Sequence, residues 1–392
     1  MSQDTGGVPL SFKTRQGTAR AASIVGRPGK DLFLSEARQL GHHFKEAIVE
    51  EGATGSSWRM TSDEGSYLGG TDLAPFPLGF FNAGLQSDLA GRIARLAKER
   101  GIAASRIAVG VSTQYSLSGS FVEGTGKGYA EAVGVHVAFE SAAADGELAA
   151  LVEAAVVQSP AFDLVSRPLE NTFALYCNGR RRDPVGLPRS TAQAPTDPFL
   201  KYANSPVPLS GGPDVGELIS KTGGRTDGPA SAFSVTPAPG GRVTWAVNGE
   251  GSIDQESGLY RCSVALNRPG STHFGYISDE TSADRAPSGL SLLSAAVAFC
   301  YMTQLSRYIE AMKLAIRGVR LVQLSPYAIE TTGTGIASPC DTHLFMQGEA
   351  DEAMFERLQL VAASTCYLHQ TMVMATPLKL TVSNGARTIV AP

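Results

Sequence analysis

Ala286-Pro287-Ser-Gly-Leu290-Ser-Leu-Leu293-Ser-Ala-Ala-Val297-Ala-Phe-Cys300-Tyr-Met-Thr-Gln304-Leu305-Ser-Arg307 is the stretch whose reading decides the fold. Leu290, Leu293, Val297 and Leu305 recur at three- and four-residue steps with small residues between them, which predicts one buried helix carrying Cys300. Pro287 suits a helix start, where a missing N–H costs nothing, and Gln304, Arg307 and Lys313 make a polar, basic end. The run is apolar enough to suggest a membrane span, but its serines, its glycine and the abrupt polar continuation favour a core helix.

The pattern occurs twice. Ala74-Pro75-Phe-Pro77-Leu78 opens a second such helix that runs through Asp88 and Arg92 to Arg95. The offset is constant, 286 − 74 = 212 and 300 − 88 = 212, so Asp88 falls where Cys300 stands. Ser-Asp-Glu precedes both helices, at Ser62-Asp63-Glu64 and Ser278-Asp279-Glu280. A further pair of segments, Leu151 to Gly179 and Leu358 to Gly385, matches at 384 − 178 = 206 and sets Cys366 opposite Pro160. The chain reads as a tandem duplication of an α+β unit, and only the second copy has a cysteine on both of its helices. The expected boundaries are 1–180 for the first domain, 181–240 for a linker and 241–392 for the second domain.

A length of 392 residues accommodates two such units. The net charge of −4 argues against nucleic acid or an anionic membrane as the main partner. Met1 to Phe12 shows no basic region followed by an apolar one, so no export signal is expected. Five cysteines, Cys177, Cys262, Cys300, Cys340 and Cys366, form no Cys-x-x-Cys or Cys/His spacing, which predicts a reducing cytoplasm and no bound metal.

Residues 8 to 28 suggest a short strand pair, and Lys30 to Glu51 a helix, with His42-His43 as a solvent-edge dipeptide rather than a metal site. Gly124-Thr-Gly-Lys127-Gly lacks the earlier glycine and the following Ser or Thr of a phosphate loop and reads as a hairpin loop. Arg180 to Gly241 holds ten of the 22 prolines, with one short helix expected near Val215 to Ile219 and apolar anchors at Phe199-Leu-Lys-Tyr202. A last helix is expected over Asp351 to Met372.

Strands, an Ala-Pro-x-x-Leu helix ending in cysteine, further strands, then a Glu-rich helix with a second cysteine: this order resembles the OsmC/Ohr family, over roughly residues 60–180 and 240–386. The resemblance implies two fused OsmC-like domains whose central helices pack together as an intramolecular pseudo-dimer, either monomeric or a homo-oligomer of that unit. It implies that Cys300 is the thiolate attacking an organic hydroperoxide and Cys366 the resolving thiol. A small hydrophobic organic substrate, no bound cofactor and an external dithiol reductant follow from it. Arg307, seven residues after Cys300 on one helix face, and Arg285, just before the helix, are candidate cations for the thiolate. Three positions depart from the hydroperoxidase branch: Leu290-Ser291 replaces its glutamate, Asn248-Gly-Glu250-Gly its hairpin arginine, and Cys366-Tyr-Leu-His369 its Cys-Pro.

Two other functional classes stay open. Cys366 and His369, three apart on a helix, pair a thiol with an imidazole, and Asp88 would serve as acid or base. That set suits a cofactor-independent hydrolase or C–C bond-cleaving enzyme acting on a small hydrophobic carbonyl compound. Alternatively, the cysteines are ordinary core residues and the chain is a non-catalytic small-molecule binding protein. For Asp88 an ion pair with Arg92 at i+4, and for His369 a bond to a backbone carbonyl, are the plain structural readings.

Overall fold

Buried and less buried side chains alternate along Tyr260–Leu266, as expected of a strand with one face on a core. Twenty-three-residue runs of small and apolar residues instead make helices buried almost all round. The computed structural model describes residues 9–14, 31–210, 215–225, 243–268, 271–282 and 284–389, and these form a mixed α+β structure with two sheets.

In chain order the strands are β1 (Ser11–Thr14), β2 (Leu32–Gly41), β3 (Phe44–Glu51), β4 (Ser57–Ser62), β5 (Ala104–Ser118), β6 (Lys127–Ser141), β7 (Thr172–Cys177), β8 (Arg180–Arg182), β9 (Ile219–Arg225), β10 (Val243–Ile253), β11 (Tyr260–Leu266), β12 (Thr272–Ser278), β13 (Ile316–Ile329), β14 (Gly335–Ala337), β15 (Asp341–Gly348), β16 (Leu378–Asn384) and β17 (Arg387–Ile389). The helices are α1 (Pro77–Glu99), α2 (Asp145–Val157), α3 (Pro160–Ser166), α4 (Gly289–Ala311), α5 (Glu352–Thr365) and α6 (Tyr367–Val373). One sheet runs β1-β4-β3-β2-β13-β15-β7-β8, with β14 on β13, and the other β9-β12-β11-β10-β5-β6-β16-β17. Each sheet therefore mixes strands from both halves of the chain, joined where β2 pairs β13 and where β10 pairs β5. The second order repeats the first with the contributions of the two halves exchanged.

Helices α1 and α4 pack against each other between these sheets, and their ends keep the sequence offset, 289 − 77 = 212 and 311 − 99 = 212. Glycine permits the contact. A Cβ on Gly84 would stand 2.6 Å from Leu293 Cγ, and one on Gly289 2.7 Å from the Gly84 carbonyl oxygen. Although α4 is long and apolar enough to cross a membrane, 94% of its most apolar window is buried inside the protein. Its cap is Ser288, whose hydroxyl accepts from the Ser291 amide at 3.2 Å, so Pro287 precedes the helix; in α1, Pro77 is the first helical residue.

Three local expectations change and a fourth is seen only in part. Lys30 to Glu51 is not a helix: Leu32 to Glu51 form the β2–β3 hairpin, because tertiary burial on both faces overrides helix-favouring Glu, Ala and Arg. The Asp351 to Met372 helix breaks at Cys366, which ends α5 and caps α6. Val215 to Ile219 is not helical; Ile219 begins β9 at the edge of the second sheet. Of the expected strand pair in residues 8 to 28, β1 is present and residues 15 to 28 lie outside the described residues.

Within the Pro-rich segment, the stretch around Phe199 to Tyr202 packs on the first sheet. Buried Tyr202 donates to the Glu36 carbonyl at 2.6 Å beneath the Arg38 guanidinium, while Phe199 and Leu200 stay exposed.

Candidate active site around Cys300

Twelve residues into α4, Cys300 faces the N-terminal end of α1 and is 2% exposed. It lines a cavity of about 30 Å³ together with Thr303, Gln304 and Arg307 of the same helix, Glu64 after β4, and Tyr367 of α6. That volume holds roughly two waters. At its rim, Tyr67 and Trp245 meet ring to ring at 5.6 Å, and Arg268 lies over the indole at 3.7 Å.

Cys366 stands behind Cys300, fully buried, where α5 turns into α6. Burial and the neighbouring Cys300 push its thiol well up, against partial relief from the Leu368 and His369 amides. His369 Nδ1 lies 3.3 Å from Cys366 Sγ, and the ring is packed between Phe173 and Tyr301. Burial pushes this imidazole down to about 3, so it is neutral at physiological pH, and its Nε2 has no partner among the described residues. Tyr115, ring to ring with Tyr367 at 5.6 Å, is electrostatically coupled to both thiols.

A charged relay flanks Cys300. Lys45, 1% exposed on β3, donates to the His43 carbonyl at 2.9 Å and to Thr303 Oγ1 at 2.8 Å; Thr303 in turn donates to Glu64 Oε1 at 2.8 Å. Burial pushes the Lys45 ammonium down, while Glu64, Asp63 and Cys300 favour its charge. Burial pushes the Glu64 carboxyl up, opposed by Lys45, Thr303 and Arg307. Asp63 fixes the turn that presents Glu64, accepting from the amides of Glu64, Thr71 and Leu73. Arg307 donates to Gln304 Oε1 at 2.8 Å and stacks over Phe121 at 4.6 Å.

Of the residues singled out from the sequence, Cys300, Cys366, His369 and Arg307 come together. Arg285 does not. It binds Asp279 at 3.0 Å and the Ser257 carbonyl at 2.8 Å, before the start of α4 and about 16 Å of helix from Cys300. Asp88 is also elsewhere: its amide packs beside Gly289 at the start of α4, and its carboxylate takes Arg92 at 2.7 Å and the Ser159 hydroxyl. The i+4 ion pair describes it, and it is out of reach as an acid or base for Cys366. The helix offset is 367 − 160 = 207, so Cys366 stands opposite Ser159 rather than Pro160; each caps its short helix.

Lys45, Thr303, Glu64 and Tyr115 escaped the sequence reading. Lys45 was hidden by the helical reading of its strand. Glu64 carried a signal in the repeated Ser-Asp-Glu. The other cysteines fit packing roles: burial pushes Cys177 and Cys340 up to about 12 and Cys262 higher still.

No protein-family model and no curated protein matches the chain. Among solved structures, an OsmC-like hydroperoxide resistance protein from Jannaschia sp. CCS1 is a structural neighbour over 37% of this chain and 95% of its own, at 19% identity and a TM-score of 0.22. At that score the likeness bears no further weight.

Proposed function

We propose that the chain is a duplicated OsmC-like protein, with copies at 1–180 and 241–392 forming a pseudo-dimer, and that it reduces small organic hydroperoxides at Cys300 with Cys366 as the resolving thiol. The observation that carries this reading is a cavity lined by Cys300, Arg307, Glu64 and Thr303, with a second buried thiol, Cys366, near enough to Cys300 to be electrostatically linked to it. The exchanged strand orders of the two sheets and the common 212-residue helix offset support the duplication.

In this reaction the Cys300 thiolate attacks the terminal peroxide oxygen and the O–O bond breaks. The alcohol leaves with a proton, and Cys300 becomes a sulfenic acid. Cys366 then condenses with it, water departs, and a disulfide remains for an external dithiol to reduce. Lys45 and Arg307 supply the positive charge that a thiolate would face. Arg307 and Glu64 also place an arginine and a glutamate on the cavity wall, although neither occupies the position that the family uses.

The contact of Cys366 with His369 favours a second reading, a cysteine hydrolase acting on a carbonyl carbon. It is the weaker one, because Cys366 does not line the cavity and a neutral, deeply buried imidazole is a poor base. Stoichiometric cumene hydroperoxide added to the reduced protein without dithiol separates the two. A rapid Cys300–Cys366 disulfide, with Cys366→Ser trapping a sulfenic acid at Cys300, is the expected result by mass spectrometry. Thiols that stay reduced through many minutes would overturn it.

A further inference from the structure

We propose that His42, His43 and Glu310 form a binding site for a divalent first-row transition metal ion, Zn²⁺ being the best match. His42 and His43 are the two-residue loop between β2 and β3, and Glu310 lies in the last turn of α4. His42 Nδ1 is 3.8 Å and His43 Nε2 4.0 Å from the same Glu310 oxygen, and the three donor atoms all lie within 4.8 Å of one another. Ligands about 2.0–2.1 Å from a tetrahedral zinc stand about 3.3 Å apart, so the two distances to Glu310 close by about half to three-quarters of an ångström and the two imidazoles by at most about 1.5 Å. His42 and Glu310, with side chains 66% and 58% exposed, are free to make that movement and leave the remaining position open to water.

His43 is the observation that separates this cluster from an ordinary surface ion pair. It is 1% exposed, yet neither of its ring nitrogens has a hydrogen-bond partner among the described residues. A buried polar group normally has one, and leaving it without is costly. An ion between His43 and Glu310 would supply the missing partner. The surroundings fix both residues through their backbones: the His43 carbonyl accepts from Lys45, and the His42 carbonyl accepts from Gln39 at 2.6 Å, whose amide also reaches Ser306 on α4 at 3.0 Å. Two imidazoles and one carboxylate suit zinc and its neighbours rather than calcium or magnesium, which prefer all-oxygen sites. The ion would tie the hairpin tip to the end of the Cys300 helix. The assignment is independent of the reaction at Cys300.

The test is titration of metal-free protein with Co²⁺, followed by visible absorption, and with Zn²⁺ by calorimetry. The expected result is one equivalent of cobalt showing ligand-field bands without a sulfur charge-transfer band, with affinity falling at least about tenfold in both Glu310→Gln and His42→Gly. Both residues are exposed, so neither change threatens folding. Absence of binding, a sulfur-to-cobalt band, or unchanged affinity in the two variants would each overturn the site.

Discussion

The two ends of the α1–α4 pair share a frame and fill it with opposite chemistry. Where one end has Cys300, the other has Asp88; where one has Gln304, the other has Arg92, and the two make an ion pair. Cys366 is matched by Ser159 and His369 by Phe162, both on the short helix that follows the break. In strand register Lys45 sits opposite Ser62 and Tyr260 opposite Ser278, so a tyrosine stands where the buried lysine does. Thr303 is matched by Gly91, which packs against Glu280. Burial and Asp88 push the Glu280 carboxyl up to about 8. One end thus sets a thiol, a cation and an acid around a cavity with a second thiol buried behind, and the other neutralises a buried carboxylate locally. The two ends keep one backbone frame and differ in a handful of side chains.

The sharpest way to break the comparison is to disable each end in turn. Cys300→Ser is expected to lower peroxide consumption by at least about a thousandfold, as loss of a nucleophile does, and to leave the unfolding midpoint nearly unchanged. Asp88→Asn is expected to do the reverse. It leaves Arg92 buried beside a neutral partner, costs about 3 kcal/mol in urea unfolding, and changes the single-turnover peroxide rate less than about twofold. Loss of peroxide activity in Asp88→Asn would mean that the two ends act together.

Lys45→Met tests whether the charged relay belongs to the reaction. Removing a preorganised charge beside a reacting atom costs about a hundredfold, and stopped-flow oxidation of the variant should show a fall of that size. Tyr260→Phe, at the matching position of the other end, should leave the rate alone. Equal effects from the two would assign Lys45 to folding.

The two long helices were legible because an Ala-Pro start and helical periodicity are local signals, and their ends keep the 212-residue offset. Cys300, Cys366 and Arg307 were legible for the same reason, each lying on or beside a predicted helix. The β2–β3 hairpin was not. Phe33, Ala37, Ala47 and Val49 face the core, but the opposite face is also buried, under residues such as Tyr202, so no polar alternation survives to mark a strand. Lys45 was hidden with it, since it reaches Thr303 beside Cys300 by its place in the sheet and not by sequence spacing, whereas Glu64 was marked by the repeated Ser-Asp-Glu. Arg285 failed in the opposite sense: it is close in sequence to the start of α4, but that start is eleven helical rises from the cysteine, and Arg285 is taken by Asp279.

His369→Phe would carry one feature of the Asp88 end across to the thiol end. His369 ionises near 3 in the folded protein against 6.5 in an unfolded chain, so the unfolded state binds the extra proton and stability falls as pH drops below about 6.5. At pH 5 that amounts to about 2 kcal/mol for this residue. The variant should lose this share of the acid sensitivity between pH 7 and pH 5, measured by urea unfolding. An unchanged pH slope would show that His369 is already charged or not buried.

Arg285→Ala gives the smallest effect and the cleanest assignment. Burial alone would raise the Asp279 carboxyl, but hydrogen bonds from Arg285, Thr281 and Ser282 hold it far below the usual carboxylate range. Its stabilisation is therefore present above the unfolded value near 3.8 and fades as pH falls below it. Arg285 is partly exposed, and Thr281 and Ser282 remain as donors when it is removed, so the expected cost at pH 7 is only about 1 kcal/mol. The difference from wild type should shrink at pH 3, while the peroxide rate stays within about twofold. A tenfold slower rate with unchanged stability would return Arg285 to the thiol end and undo the separation of the two sites.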